Sequence, residues 1–195
     1  YQGLSKDVEK AARNIVKGDP RMVDVIKFSG RYFINAADFG AFTWLPYTTP
    51  QQQKNTLGAY AYLLEGIKAL SRIQRSHLRM MANGGYFEGD YLFGIICNAT
   101  MLAGVLSGNG KLIQSDDGIF EVGMVQYPET ALDFQEILQA LRMEDLGDPH
   151  ITFFKTNRLT IETDEPLDWS LDGERMTTNG TAEAETLHSR ITLIC

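Results

Sequence analysis

The chain has 195 residues, 44% hydrophobic and 22% charged, with 18 basic against 25 acidic side chains and a net charge of −7. That length fits one domain able to bury roughly 70% of its unfolded surface. The composition excludes a disordered chain, a collagen and a coiled-coil rod. The acidic balance leaves no global attraction for nucleic acid, which is not expected as a partner, and confines any contact with anionic lipid to a local patch.

Leu4, Val8, Ala11, Ala12 and Ile15 recur at helical spacing, with Ser5 to cap the start and Gly18 and Pro20 to stop it. The period then changes to two: Val23, Val25 and Phe28, a Ser29-Gly30 turn, and Tyr32, Ile34 and Ala36 predict a β-hairpin. Pro46 and Pro50 break the chain before a second helix expected over 55–73. From Ser76 onward strands dominate. His77 to Ala82, the Asn83-Gly84-Gly85 turn and Tyr86-Phe87 form another hairpin. The apolar run from Tyr91 to Ala99 fits a buried strand, and a buried helix fits the same run by period alone. A strand over 119–127 leads into a helix from Glu129 to Met143, whose stripe is Ala131, Phe134, Ile137, Leu138 and Leu141. Strands at 151–154, 159–161, 167–171 and 191–194 complete an α+β domain, a mainly antiparallel β-sandwich with a few helices.

Residues 1–18, mixed charged and apolar, do not read as a signal peptide, and the most apolar stretch, 91–106, is shorter than the ~20 residues of a spanning helix. A cytoplasmic protein is therefore expected, with Cys97 and Cys195 as reduced thiols. The chain lacks an initiating Met and reads as one domain, 1–195, of a longer protein. Phosphate loops, dinucleotide fingerprints, HExxH, CxxC and GxSxG are missing, and His77, His150 and His188 have no ligand-like spacing.

Two acidic turns stand out. Gln114-Ser115-Asp116-Asp117-Gly118-Ile119 enters a strand, and its carboxylates and carbonyls suit a hard cation with oxygen ligands, although Asp-Gly is also ordinary turn chemistry. Leu171-Asp172-Gly173-Glu174 places two carboxylates around a glycine, able to hold a metal-bound nucleotide or take a proton from a hydroxyl, or to stand as a solvated hairpin tip. Lys68, Arg72, Arg75 and Arg79 cluster after the second helix, where they complement its dipole or form a local membrane-facing patch.

Taken in order, Val23-Asp24, Arg31-Tyr32-Phe33-Ile34-Asn35, Phe39-Gly40, Lys54, Leu57-Gly58-Ala59-Tyr60, Asn98, 116–122 and 171–174 resemble the second domain of bacterial lipid kinases of the diacylglycerol kinase and sphingosine kinase superfamily. Phe153-Phe154-Lys155-Thr156 and the stretch 162–174 are similar to Gram-positive diacylglycerol-kinase-like proteins. The resemblance implies an ATP- and Mg²⁺-dependent kinase acting on a hydroxyl of diacylglycerol or a related lipid, with ATP held mostly by a first domain whose Gly-Gly-Asp-Gly-Thr motif is absent here. It implies Glu174 as proton acceptor, Asp172 beside it near the nucleotide's metal, and Mg²⁺ on the Asp117 carboxylate and the carbonyls of Gln114 and Ile119. Peripheral membrane contact and a homodimer are further partner expectations. The family's Gly-Gly pair is replaced here by 100–105, which departs from the pattern. The competing class is a non-catalytic module for lipid binding or self-association.

Overall fold

The structure, a computed structural model, describes residues 7–40, 74–98, 115–143 and 145–194. The expected helix over 55–73, Gln114, Lys68, Arg72, Cys195 and the departure at 100–105 lie outside the described residues. In chain order the elements are α1 (Val8–Lys17), β1 (Pro20–Phe28), β2 (Arg31–Phe33), β3 (Ala36–Gly40), β4 (Ser76–Ala82), β5 (Gly85–Cys97), β6 (Phe120–Gln126), α2 (Ala131–Met143), β7 (Ile151–Thr156), β8 (Arg158–Thr163), β9 (Leu167–Leu171), β10 (Glu174–Thr178) and β11 (Thr181–Ile194). All the strand pairings are antiparallel, in the order β10-β9-β3-β5-β4-β8-β11-β1-β2, with β6 on β5 and β7 on β6. The α+β, mainly antiparallel architecture is the one expected.

The long strand β5 organises this sheet. Its first half pairs with β4, and its second half pairs with β3 along the same edge and with β6 along the other. The first half alternates in exposure, whereas Tyr91 to Cys97 is buried throughout. Cover on both faces is why the apolar run has no period of two, and the run is strand rather than helix. Gly94 lies in this half, and a Cβ there would overlap the Phe39 ring and the Met124 sulfur.

Two apolar clusters hold the sheet. The larger includes Ile26, Phe28, Phe33, Phe39, Leu78, Met80 and Trp169. Phe28 and Phe39 pack against Trp169 with ring centroids 4.7 and 5.0 Å apart, and the indole N–H donates to Thr178 Oγ1 at 3.0 Å. The smaller gathers Ala36, Phe93, Ile95, Cys97 and Val125 under Ile137 of α2. Burial pushes the Cys97 thiol up, so it stays a protonated core residue. The start of α2 is closed by a reciprocal cap: Asp133 N donates to Thr130 Oγ1 at 3.1 Å, and Thr130 N donates to Asp133 Oδ2 at 2.9 Å. At α1, Asp7 Oδ1 accepts from the amides of Glu9 and Lys10. Its expected apolar stripe is not packed: Val8 and Ile15 are exposed.

Candidate active site

The β9–β10 hairpin closes on the Leu171–Glu174 pair, so Asp172 and Gly173 are its two turn residues. Both have positive φ, 49° and 93°, the geometry of a type I′ turn that an Asp-Gly sequence adopts most readily. With its backbone fixed, Asp172 points its carboxylate at the connection between β2 and β3. Oδ2 accepts from the Ile34 amide at 2.8 Å, and Oδ1 accepts from the amides of Asn35 and Ala36, each at 2.9 Å. These bonds explain a difference from expectation. The alternation of Tyr32, Ile34 and Ala36 predicts one continuous strand, but the chain breaks at Ile34-Asn35, where Asp172 takes the amides that a strand partner would have used.

The same bonds limit what else Asp172 can do. A carboxylate offers about four lone-pair sites, and three are committed to backbone amides. Glu174 is different. It opens β10, is exposed, and accepts no hydrogen bond or ion pair among the described residues. By alternation it shares a strand face with Met176, which packs on the larger core, and with buried Thr178. Its carboxylate therefore stands at the rim of the core face. On the other face Arg175 is tied to Asp168 at 2.6 Å.

The second acidic turn is held by Asp24, which belongs to the motif pattern but has no role assigned from sequence. Asp24 is fully buried at a bulge where β1 and β11 fall out of register. Its Oδ2 accepts from the Gly118 amide at 2.7 Å, and its Oδ1 accepts from the Ser189 amide at 2.6 Å and from His188 Nδ1 at 2.9 Å. The Asp24 amide donates to the Ser115 carbonyl at 2.7 Å. Gly118, at φ 79°, is positioned so that a Cβ would press on His188. Asp117 is exposed, with Oδ1 accepting from the Ile119 amide at 3.2 Å. Carboxylate and carbonyl oxygens are the donors a hard cation prefers, so the turn's chemistry fits Mg²⁺.

Among the described residues the two turns share no hydrogen bond, but one buried side chain links their supports. Asn98 Nδ2 donates to the carbonyls of Asp24 and Ile34 at 3.0 and 3.3 Å, and the Asn98 amide donates to Asn35 at 2.8 Å. A continuous polar chain thus runs from Gly118 through Asp24, Asn98 and the Ile34-Asn35 connection to Asp172 and the base of Glu174.

Two further buried acids have no role assigned from sequence. Asp38 on β3 is pushed up to about 6 by burial, partly offset by a hydrogen bond to Ser170. Glu121 on β6 is raised by burial and held back by Lys155, whose Nζ lies 2.8 Å from Oε1. Their signal was an acid inside an otherwise apolar strand.

The basic cluster is not an open patch where it is described. Arg75 pairs with Asp90 at 3.0 Å and Glu129 at 2.7 Å and lies over the Tyr127 ring, while Arg79 pairs with Asp164 at 2.7 Å and faces Glu162 at 3.5 Å. Carboxylates therefore neutralise both cations. No helix among the described residues is long and apolar enough to cross a membrane.

Comparison with known proteins agrees with the resemblance read from the motifs. No family model matches the chain. It is 30% identical to a diacylglycerol kinase of Bacillus subtilis (strain 168) over 87% of this chain and 55% of that protein. It is also 30% identical to a diacylglycerol kinase of Staphylococcus aureus (strain Newman), over 88% of this chain and 54% of that protein. The crystal structure of a diacylglycerol kinase from Bacillus anthracis str. Sterne superposes with a TM-score of 0.66 at 22% identity, covering 98% of this chain and 60% of that one, and shares the fold. The chain is thus a homologue of the bacterial diacylglycerol kinases over the part of them that it spans, about half the length of the curated relatives it matches.

Proposed function

We propose that this chain is the second, lipid-facing domain of an ATP- and Mg²⁺-dependent lipid kinase that phosphorylates a hydroxyl of diacylglycerol or a related lipid. The observation that carries the reading is Glu174: an exposed carboxylate with no protein partner among the described residues, on a turn fixed by three backbone amides, in a homologue of diacylglycerol kinases. Phosphoryl transfer to an alcohol needs a group to receive the hydroxyl proton and a frame to position it. In this proposal Glu174 accepts the proton and Asp172 positions the turn, with one remaining lone pair for a water of the nucleotide's metal. Asp117 and the carbonyls of Gln114 and Ile119 would hold Mg²⁺, which supplies positive charge that fixes the acidic turn. ATP rests mostly on a separate nucleotide-binding domain, and the chain works at the cytoplasmic face of a membrane as a peripheral protein, alone or as a homodimer.

The test is a phosphotransfer assay against diacylglycerol, sphingoid base and polyprenol acceptors, run on the purified chain and on the full gene product that contains it. Turnover is expected from the full product with one acceptor class and not from the chain alone. A full product that binds lipid but phosphorylates none of the three overturns the proposal and makes this domain a non-catalytic lipid-binding or self-association module.

A further inference from the structure

Away from the acidic turns, a second group of potential ligands gathers where α2 begins. Asp133 and Glu136 are three residues apart on α2, a spacing that puts both carboxylates on one helix face. His150, in the turn before β7, brings its ring to them: one ligand atom from each of the three lies within 4.8 Å of the others, and His150 Nε2 is 4.0 Å from Glu136 Oε2. The other ring nitrogen is committed. His150 Nδ1 donates to Asp148 Oδ1 at 3.0 Å, and the His150 amide donates to the same oxygen at 2.9 Å. A carboxylate that accepts the Nδ1–H hydrogen bond fixes the tautomer and leaves the Nε2 lone pair facing the two acids, the arrangement that orients histidine ligands in metal sites. Asp133 is held equally firmly by the amides of Glu129 and Thr130 on Oδ2 and by the Thr130 hydroxyl on Oδ1, which keeps a lone pair on Oδ1.

We propose that Asp133, Glu136 and His150 form a site for one divalent transition-metal ion of the zinc class, oriented by Asp148, that pins the start of α2 to the turn before β7. One imidazole and two carboxylates suit a borderline ion and leave positions open for water, whereas Mg²⁺ and Ca²⁺ take oxygen ligands. Ligands about 2.0–2.2 Å from an ion stand roughly 3.4 Å apart in a tetrahedron. The ligand atoms lie up to 4.8 Å apart, so the cluster must contract by up to about 1.4 Å, which the exposed Glu136 side chain and a small shift of the His150 ring toward Asp133 supply together. The site is independent of the proposed kinase reaction.

Calorimetric titration of the purified chain with Zn²⁺, together with visible absorption on adding Co²⁺, tests it. One equivalent of Zn²⁺ is expected, not displaced by Mg²⁺, with Co²⁺ giving visible bands. His150→Gln and Glu136→Gln should each weaken binding at least about tenfold, and Asp148→Asn, which removes no ligand, by about 10–100-fold. Asp117→Asn should leave it unchanged. Binding that never saturates, that survives both His150→Gln and Glu136→Gln, that Mg²⁺ displaces, or that depends on Asp117 overturns the assignment. Circular dichroism of each variant separates lost binding from lost fold.

Discussion

Asp172 and Ala36 bond to each other in both directions: the Asp172 amide donates to the Ala36 carbonyl at 2.8 Å, and the Ala36 amide donates to Asp172 Oδ1 at 2.9 Å. This reciprocal pair locks the β9–β10 turn to the first residue of β3, and Ile34 and Asn35 extend the lock. Asp172→Asn keeps a residue that tolerates positive φ but turns an acceptor into an amide that faces amide donors. A loss of about 1–2 kcal/mol in urea unfolding is expected. A variant as stable as the parent would show that solvent replaces these bonds at no cost.

Glu174 makes no such contacts, and its removal should separate activity from stability. In the full gene product Glu174→Ala is expected to lower lipid phosphorylation by about 10²–10⁴-fold, while unfolding free energy changes by less than about 0.5 kcal/mol. Near-parental turnover in that variant removes Glu174 from the reaction.

What could be read from residues alone followed the range of the forces involved. The turns at Ser29-Gly30, Asn83-Gly84 and Asp172-Gly173 were legible because positive φ at adjacent positions is a local demand that few sequences meet. The α2 stripe was legible for the same reason, and its cap lies within four residues. The break at Ile34-Asn35 was not, because its cause sits 136–138 residues away at Asp172. β10 was missed because its residues are mostly polar and exposed, as an edge strand permits. Glu174 and Asp117 stood out through motif resemblance. Asp24 could be seen in the pattern, yet its work of holding Gly118, His188 and Ser189 depends on contacts across 94–165 residues.

Asp38 should impose a pH dependence on stability. Its carboxyl is pushed up to about 6 in the fold by burial, against an ordinary value of 3.8. Between those values the folded chain binds the proton that the unfolded chain has released, so stability falls as pH rises from about 4 to 6 and levels off above. The term is at most about 3 kcal/mol, since each unit corresponds to 1.36 kcal/mol. Asp38→Asn removes it, and urea unfolding across pH 4–6 should show a flatter or rising profile in the variant. His77, whose pKa is raised mainly by its bond to Asp90, acts in the same sense, because the fold favours its protonated form too. Its contribution is present below its unfolded value and is lost as pH rises through its folded value, above the Asp38 window. Parallel profiles for parent and variant would rule out a buried ionisation at Asp38.

Asn98 is the shared support of the two acidic turns, so cutting it should loosen both together. Asn98→Ala leaves the buried carbonyls of Asp24 and Ile34 without the side-chain amide that now serves them, at a cost of about 2–3 kcal/mol. The more specific consequence is local. The Gly118 amide, bonded to Asp24, and the amides of Ile34, Asn35 and Ala36, bonded to Asp172, should all exchange with solvent deuterium faster in the variant. Amides in α2 and in the β6–β7 ladder should change only by the global loss, because no hydrogen bond among the described residues connects them to Asn98. Faster exchange at Gly118 with unchanged protection at Ile34–Ala36, or the reverse, would show that the turns are held separately and that the polar chain between them carries no coupling.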